Sequence, residues 1–174
     1  MVRSDWSSDV CSSDLITAAD AAQVTELRID LDWQEHIPDD IRIHDLTGIE
    51  YFINLQVLSL NFHAVTDIGM LPSLHRLTDL SLGGNGYADL GVLAQMPGLV
   101  RLVLFDDGIT DVSPLAELCQ LTVLYLEYNR IMDVSPLAGL TQLQELTLNN
   151  NPVEDYAPLA GLYPGLTEKD FTLP

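Results

Sequence analysis

The residues of this 174-residue chain that could carry chemistry are four histidines, two cysteines, a glycine-rich turn and a column of aspartates. His36, His44, His63 and His75 show no H-E-x-x-H or other spacing that would converge imidazoles on a metal. Cys119 sits beside Leu118 with no histidine placed to activate a thiolate, so it reads as a structural or incidental thiol. Gly83-Gly84-Asn85-Gly86 could cradle a phosphate, yet it falls where the chain must turn in any case, and glycine eases such a turn. Neither a G-x-S-x-G elbow nor a phosphate-binding loop sequence occurs. Asp67, Asp89, Asp111, Asp133 and Asp155 recur every 22 residues. Stacked about 5 Å apart, they would repel one another unless Ca²⁺ or backbone N–H groups met them. The Ser-Pro-Leu after Asp111 and Asp133 favours capping of a helical turn. The expectation is a non-enzyme with no catalytic residue, no cofactor and no metal.

The spacing of those aspartates belongs to a repeat that organises the chain. The template LxxLxLxxN starts at Leu55, Leu77, Leu99, Leu121 and Leu143, and all fifteen of its apolar positions are leucine. Two residues after each Asn slot comes an apolar residue: Val65, Tyr87, Ile109, Ile131 and Val153. His63 occupies one of the Asn slots and reads as a turn residue. The alternation LxLx predicts a short strand with leucines inward and variable residues outward. The Asn slot turns the chain out of the strand, where an amide can bond unpaired backbone groups. Ser113-Pro114 and Ser135-Pro136 place a capping hydroxyl and a φ-fixed proline at a helical first turn. One coil cannot bury its leucines alone. About seven, stacked at roughly 4.8 Å, make one core and a parallel sheet.

Both ends depart from the repeat. A degenerate coil begins at Val24, followed by an insertion over 33–40, and the register returns from Ile43. Thr17 with Asp20 resembles a capping box opening a helix over Ala18–Gln23, so 16–32 is expected to be an N-terminal cap. Regular repeats then run over 55–164. Leu166 arrives one residue late and Lys169 fills an apolar slot, as expected of a closing coil over 165–174. Residues 1–15 show no apolar period. Asp5–Leu15, DWSSDVCSSDL, looks like an in-frame translation of a sequencing adapter, so an artefactual, disordered segment is expected there in place of a native N-terminus. Secreted, cell-surface and cytoplasmic placements therefore all stay open. Setting Cys11 aside leaves Cys119 alone, and one cysteine makes no internal disulfide.

The segments LTGIEYFINLQVLSL, NRIMDVSPLAGLTQLQELTLNNNPVEDYAPLAGL and YPGLTEKDF give 16–174 its likeness. That span resembles bacterial leucine-rich-repeat proteins of the internalin type, and it shares the 22-residue phase of a eukaryotic phosphatase regulator. The resemblance implies an α/β solenoid: a curved parallel sheet of about seven coils with short helical or 3-10 turns on the convex side. It also implies a concave strand face that holds a protein partner.

Composition narrows the partner. With 7 Lys and Arg against 26 Asp and Glu, the formal charge is −19, which repels nucleic-acid phosphates and anionic membranes. No stretch has the roughly 18 apolar residues of a membrane span. The expected partner is a protein with a basic surface, bound by a monomer. Among outward strand positions, Phe105 and Tyr125 lie on adjacent strands and would anchor it, with Phe62, Val103, Glu127 and Tyr128 around them. Asp79, Asp106, Glu127 and Glu145 would flank the anchor with negative charge. Two other readings remain: the recognition fragment of a larger enzyme or effector, and a spacer of a surface protein. A spacer needs no aromatic patch.

Overall fold

The computed structural model describes residues 16–32, 37–87 and 89–173. The adapter-like segment 1–15 and residues 33–36 of the insertion lie outside the described residues.

Each LxxLxL segment forms a three-residue strand centred on its second leucine, because that leucine needs an apolar side and its outward neighbours tolerate the other. Among the described residues there are seven strands: β1 (Glu26–Arg28), β2 (Val57–Ser59), β3 (Asp79–Ser81), β4 (Arg101–Val103), β5 (Val123–Tyr125), β6 (Glu145–Thr147) and the two-residue β7 (Glu168–Lys169). They form one parallel sheet in sequence order. The register stacks equivalent leucines: Leu27 on Leu58, then Leu80, Leu102, Leu124 and Leu146. The apolar core behind the sheet is a set of such columns, and Leu58, Leu80, Leu102, Leu124 and Leu146 have no solvent exposure. Burying each contributes about 2 kcal/mol, and no coil could do so without its neighbours.

The opposite wall is built of 3-10 turns, among them Gly91–Gln95, Ser113–Glu117, Ser135–Gly139 and Ala157–Gly161. Here the expected serine cap gives way to an aspartate cap. Val112 and Val134 at the cap positions supply no capping side chain, and Ser113 and Ser135 are the first residues of the turns. Their N–H groups instead donate to Oδ1 of Asp111 and Asp133, each at 2.8 Å. Asp67, Asp89 and Asp155 accept in the same way from Gly69, Gly91 and Ala157. The aspartate precedes the turn by two residues, which suits its short side chain to the first free donor. These backbone bonds, reinforced by the serine side chain, hold the Asp111 and Asp133 carboxyls below their ordinary range.

Asp133→Ala should lower the melting temperature at neutral pH, and Ca²⁺ should not move the melting curve of the wild type. Because the folded carboxyl titrates below the unfolded one, the difference between variant and wild type should persist above about pH 4 and vanish in stronger acid. A calcium-dependent rise in melting temperature would show that the column binds metal instead.

At the N-terminus Thr17 and Asp20 form the capping box of helix α1 (Ala18–Ala21), which stops two residues short of the expected Gln23. Asn54 ties it to the stack by donating to the Ala22 carbonyl at 2.8 Å. At the other end Phe171 lies parallel to Tyr156, 4.9 Å between centroids, and edge-on to Tyr163. Lys169 donates to the Leu166 carbonyl at 2.8 Å and stands 4.6 Å from the Tyr163 ring centroid. Its stem replaces the leucine of the column while its charge stays in contact with polar and π partners.

Candidate functional site

The outward face of the sheet is supported from below by the Asn slots. Asn129 donates through Nδ2 to the carbonyls of Leu104 and Leu126, and its Oδ1 accepts from the N–H groups of Asp107 and Ile109. Asn85 and Asn151 bridge neighbouring coils in the same manner. His63 does the work of an amide in its slot. Nδ1 accepts from Ile43 N–H at 3.1 Å, which leaves Nε2–H to donate to the Ile29 carbonyl at 2.5 Å. Burial pushes its pKa down, since a charged imidazolium would lose water and the acceptor nitrogen together.

Asp107 is the exception in this ladder. Its Oδ1 accepts from Asn85 N–H at 2.8 Å and Gly86 N–H at 2.9 Å, but it has no amide donor for the coil carbonyls. Its Oδ2 is buried with no hydrogen-bond partner.

Above this ladder the sheet divides into two zones. Over the first three strands the outward positions bond one another. Asp30 accepts from the Ser59 hydroxyl and from the Asn61 backbone and side chain. Asn61 Oδ1 then accepts from the Ser81 hydroxyl and Gly83 N–H. Further along, Arg101 pairs with Asp79 at 3.1 Å and stands 5.6 Å from the Tyr125 ring centroid. The Tyr125 hydroxyl donates to Glu145 Oε2 at 2.5 Å, and this bond pushes its pKa up to about 12.

The expected anchor residues are therefore divided. Tyr125 is half-buried and belongs to the Asp79–Arg101–Tyr125–Glu145 row. Val103, expected as part of the surrounding wall, is only 3% exposed. Ser59, Ser81 and Thr147, in the equivalent slot, are likewise buried. Outward slots on strands about 4.8 Å apart cover one another when long side chains flank them. Asp79 and Glu145 are engaged within the sheet, which leaves Asp106 as an exposed acid and Glu127 half-buried.

Phe105 pairs with a different aromatic from the expected one. Its ring meets Phe62 at 5.2 Å and 50°, across the intervening coil. Gly83 and Gly84 make this possible. A Cβ on Gly83 would lie 2.6 Å from the Phe105 ring, and one on Gly84 would lie 2.6 Å from the Phe62 ring. Gly84 has φ of +74°, a left-handed conformation that Phe62, Asp106, Tyr128 and Asn150 share in the equivalent slot, so the Phe62 ring rather than φ requires glycine there. The glycine pair that might have cradled a phosphate is thus the floor of an aromatic pair. Phe62, Gly84 and Phe105, together with Ile37, Arg42, Asp106 and Tyr128, line an open cleft of about 520 Å³. Tyr128 stands at its edge, 60% exposed.

Phe62, Phe105 and Tyr128 line this cleft, with Glu127 next to Tyr128 in the chain but outside the lining, whereas Tyr125 and Val103 are the last residues of β5 and β4. Ile37 and Arg42 were not legible as site residues, because Ile37 lies in the insertion and Arg42 just past it, before the repeat register returns at Ile43. The two glycines, expected only as turn residues, carried a signal that could have found them. Lining up coils at 22 residues places Gly83 between Asn61 and Phe105, and Gly84 between Phe62 and Asp106. Among the described residues no group of three or more His, Cys, Asp or Glu is placed to hold a metal. Among them also, no helix is long and apolar enough to cross a membrane.

A family model for leucine-rich repeats in two copies matches residues 119–161. No curated protein sequence matches the chain. Among solved structures, internalin C2 of Listeria monocytogenes is similar at 38% identity and a TM-score of 0.79, over 88% of this chain and 64% of that one. A second Listeria monocytogenes internalin, internalin F, is similar at 29% identity and a TM-score of 0.68, over 90% and 50%. A leucine-rich-repeat protein of Leptospira interrogans shares the fold at 22% identity and a TM-score of 0.67, over 88% and 38%. The chain thus spans less than two thirds of the length of each of these proteins.

Proposed function

Because this chain is a leucine-rich-repeat solenoid of the internalin type, we propose that it is a non-catalytic module that holds a protein partner on its concave face. Proteins of this type serve in general as protein-interaction modules. The observation that carries the concave-face reading is the Phe62–Phe105 pair, seated on two glycines at the rim of an open cleft. A stack that only had to fold would need neither large aromatics there nor glycines to accommodate them. Aromatic rings held in place offer area at low entropy cost, which is what an interface anchor requires.

The partner contacts we assign are Phe62, Phe105 and Tyr128 as the apolar anchor, with Tyr125, Glu127 and the covered Val103 as the adjoining strand surface. Asp106 at the rim, on a chain of formal charge −19, favours a partner whose edge is basic. The partner's approach should slow as salt rises. The same surface would serve if the chain is the recognition part of a larger enzyme or effector. The spacer reading predicts no partner at all.

The test is capture from the source organism with wild type and with Phe105→Ala/Tyr125→Ala. One protein retained by the wild type and lost by the variant, with melting curves otherwise alike, supports the assignment. Equal capture by both would move the binding surface to the convex wall or the insertion.

A further inference from the structure

One rung of the buried ladder carries an acid where its neighbours carry amides. Asn85, Asn129 and Asn151 each donate Nδ2–H to the carbonyl of the leucine three residues earlier and to its counterpart one coil back. By the same register Asp107 faces the carbonyls of Leu104 and Leu82, with an oxygen where an NH₂ belongs. Leu82 and Leu104 already receive Asn85 and Asn129 respectively, so each carbonyl could still accept once more. The Asp107 side chain is 3% exposed, and its Oδ2 has no partner.

The groups facing it relieve the charge only in part. Tyr87 packs beside it from the previous coil with its hydroxyl buried; burial and the neighbouring Asp107 raise the tyrosine's pKa, and the hydroxyl draws the Asp107 carboxyl down far less than burial drives it up. Asp106, next in the chain, adds like charge. Asn85 and Asn129 on either side are neutral, and no Lys or Arg among the described residues forms an ion pair with it.

We propose that Asp107 is a proton-operated latch beneath the aromatic cleft, closed by protonation of Oδ2 and loosened by its ionisation. When Oδ2 takes a proton from solvent, it becomes the missing donor and can bond the Leu82 or Leu104 carbonyl, as an asparagine would. When the proton leaves, a carboxylate oxygen is left facing carbonyl oxygens in a dry interior, and the rung loosens. Burial, the largest influence, pushes the carboxyl up to about 7, while the N–H groups of Gly86 and Asn85 pull it back only in part.

The consequence reaches the cleft through a short path. Oδ1 of Asp107 holds the N–H groups of Asn85 and Gly86, the two residues directly after Gly83-Gly84, on which the Phe62 and Phe105 rings lie. The floor of the cleft should be firm in mild acid and looser above neutrality. The latch is a property of the free chain; only its bearing on partner binding rests on the concave-face reading.

The sign for stability follows. The folded carboxyl holds its proton between about pH 4 and pH 7 while the unfolded chain releases it, so stability falls as pH rises through that window and levels off above it. His63, with a lowered pKa, acts oppositely: it costs nothing above the unfolded value near 6.5 and destabilises as pH falls below it. A variant at Asp107 is therefore needed to separate the two.

The experiment uses the full chain, isotope-labelled, with and without Asp107→Asn, and no partner. Side-chain carboxyl shifts are followed from pH 3 to 9, and exchange of the Asn85 and Gly86 amides is followed from pH 5.5 to 8, corrected for intrinsic base catalysis. The wild type should show one aspartate titrating near 7, absent from the variant. Its corrected exchange at Asn85 and Gly86 should rise tenfold or more across the range, and the variant's should stay flat. A carboxyl that titrates near 4 would overturn the proposal. So would a carboxyl near 7 with the same exchange profile in both proteins, because the acid would then be buried without acting on the turn. Because no partner takes part, either result leaves the concave-face reading to its own test.

Discussion

Asn129→Leu should cost about 4 kcal/mol of stability, although leucine matches the apolar surroundings and roughly the volume of the side chain it replaces. The Asn129 amide meets two backbone N–H donors and the carbonyls of Leu104, Leu126 and Glu127 at that point. Leucine would orphan the N–H groups of Asp107 and Ile109 inside the stack, and each buried unsatisfied group costs about 1–3 kcal/mol. The carbonyls of Leu104 and Leu126 would lose a donor as well. Because coils are stable only through their neighbours, the damage should spread to both sides and show as a broadened or split thermal transition. Chemical denaturation followed by circular dichroism measures the loss. A change below about 1 kcal/mol would mean that water or backbone movement satisfies these groups, and the ladder would not be what holds the turns.

Phe105→Ala should weaken binding of the captured partner by about 2 kcal/mol or more, roughly thirtyfold, with the coil count unchanged. The ring is not needed by the core. It lies on Gly83 at the outer surface, and Leu102 and Leu104 on either side keep the inward column intact. Its geometry makes a sharper expectation available. Phe62 and Phe105 touch at 5.2 Å, so the two substitutions should not add: Phe62→Ala should cost less in the Phe105→Ala background than in the wild type. Tyr125→Ala should add independently of Phe62, because Tyr125 is anchored instead by Arg101 and Glu145. Titration calorimetry of the four proteins in each cycle reads the coupling. Strict additivity of Phe62 and Phe105 would show that the aromatic pair does not act as one anchor.

The repeating part of the chain was legible to the residue. The leucine template fixed the strands, the register and the buried columns, since a 22-residue period admits one stacking of inward leucines. The Asp column was legible as caps, but not its offset, because a capping serine and a capping aspartate two residues earlier leave the same residue types in order. The site was legible as a face and not as a grouping. Alternation alone says that Val103 points outward, but whether it stays open depends on Arg101, Phe105 and Tyr125 beside it. Phe105 was paired by sequence with its neighbour one strand on, yet a ring turns toward the coil that leaves room, and Gly83-Gly84 leaves that room one coil back. Asp107 stood in plain view in an Asn slot. Its burial needed the stack to be built before it meant anything.

The most direct measurement of the central claim is the footprint of the captured partner on the full chain by amide exchange and by cysteine-directed blocking. Binding should protect the backbone around Phe62, Gly84, Phe105 and Tyr128, while Cys119, exposed on its 3-10 wall, should stay as reactive as in the free chain. Protection centred on the convex turns near Cys119 and Met132, with the aromatic cleft still exchanging freely, would contradict the assignment of the concave face.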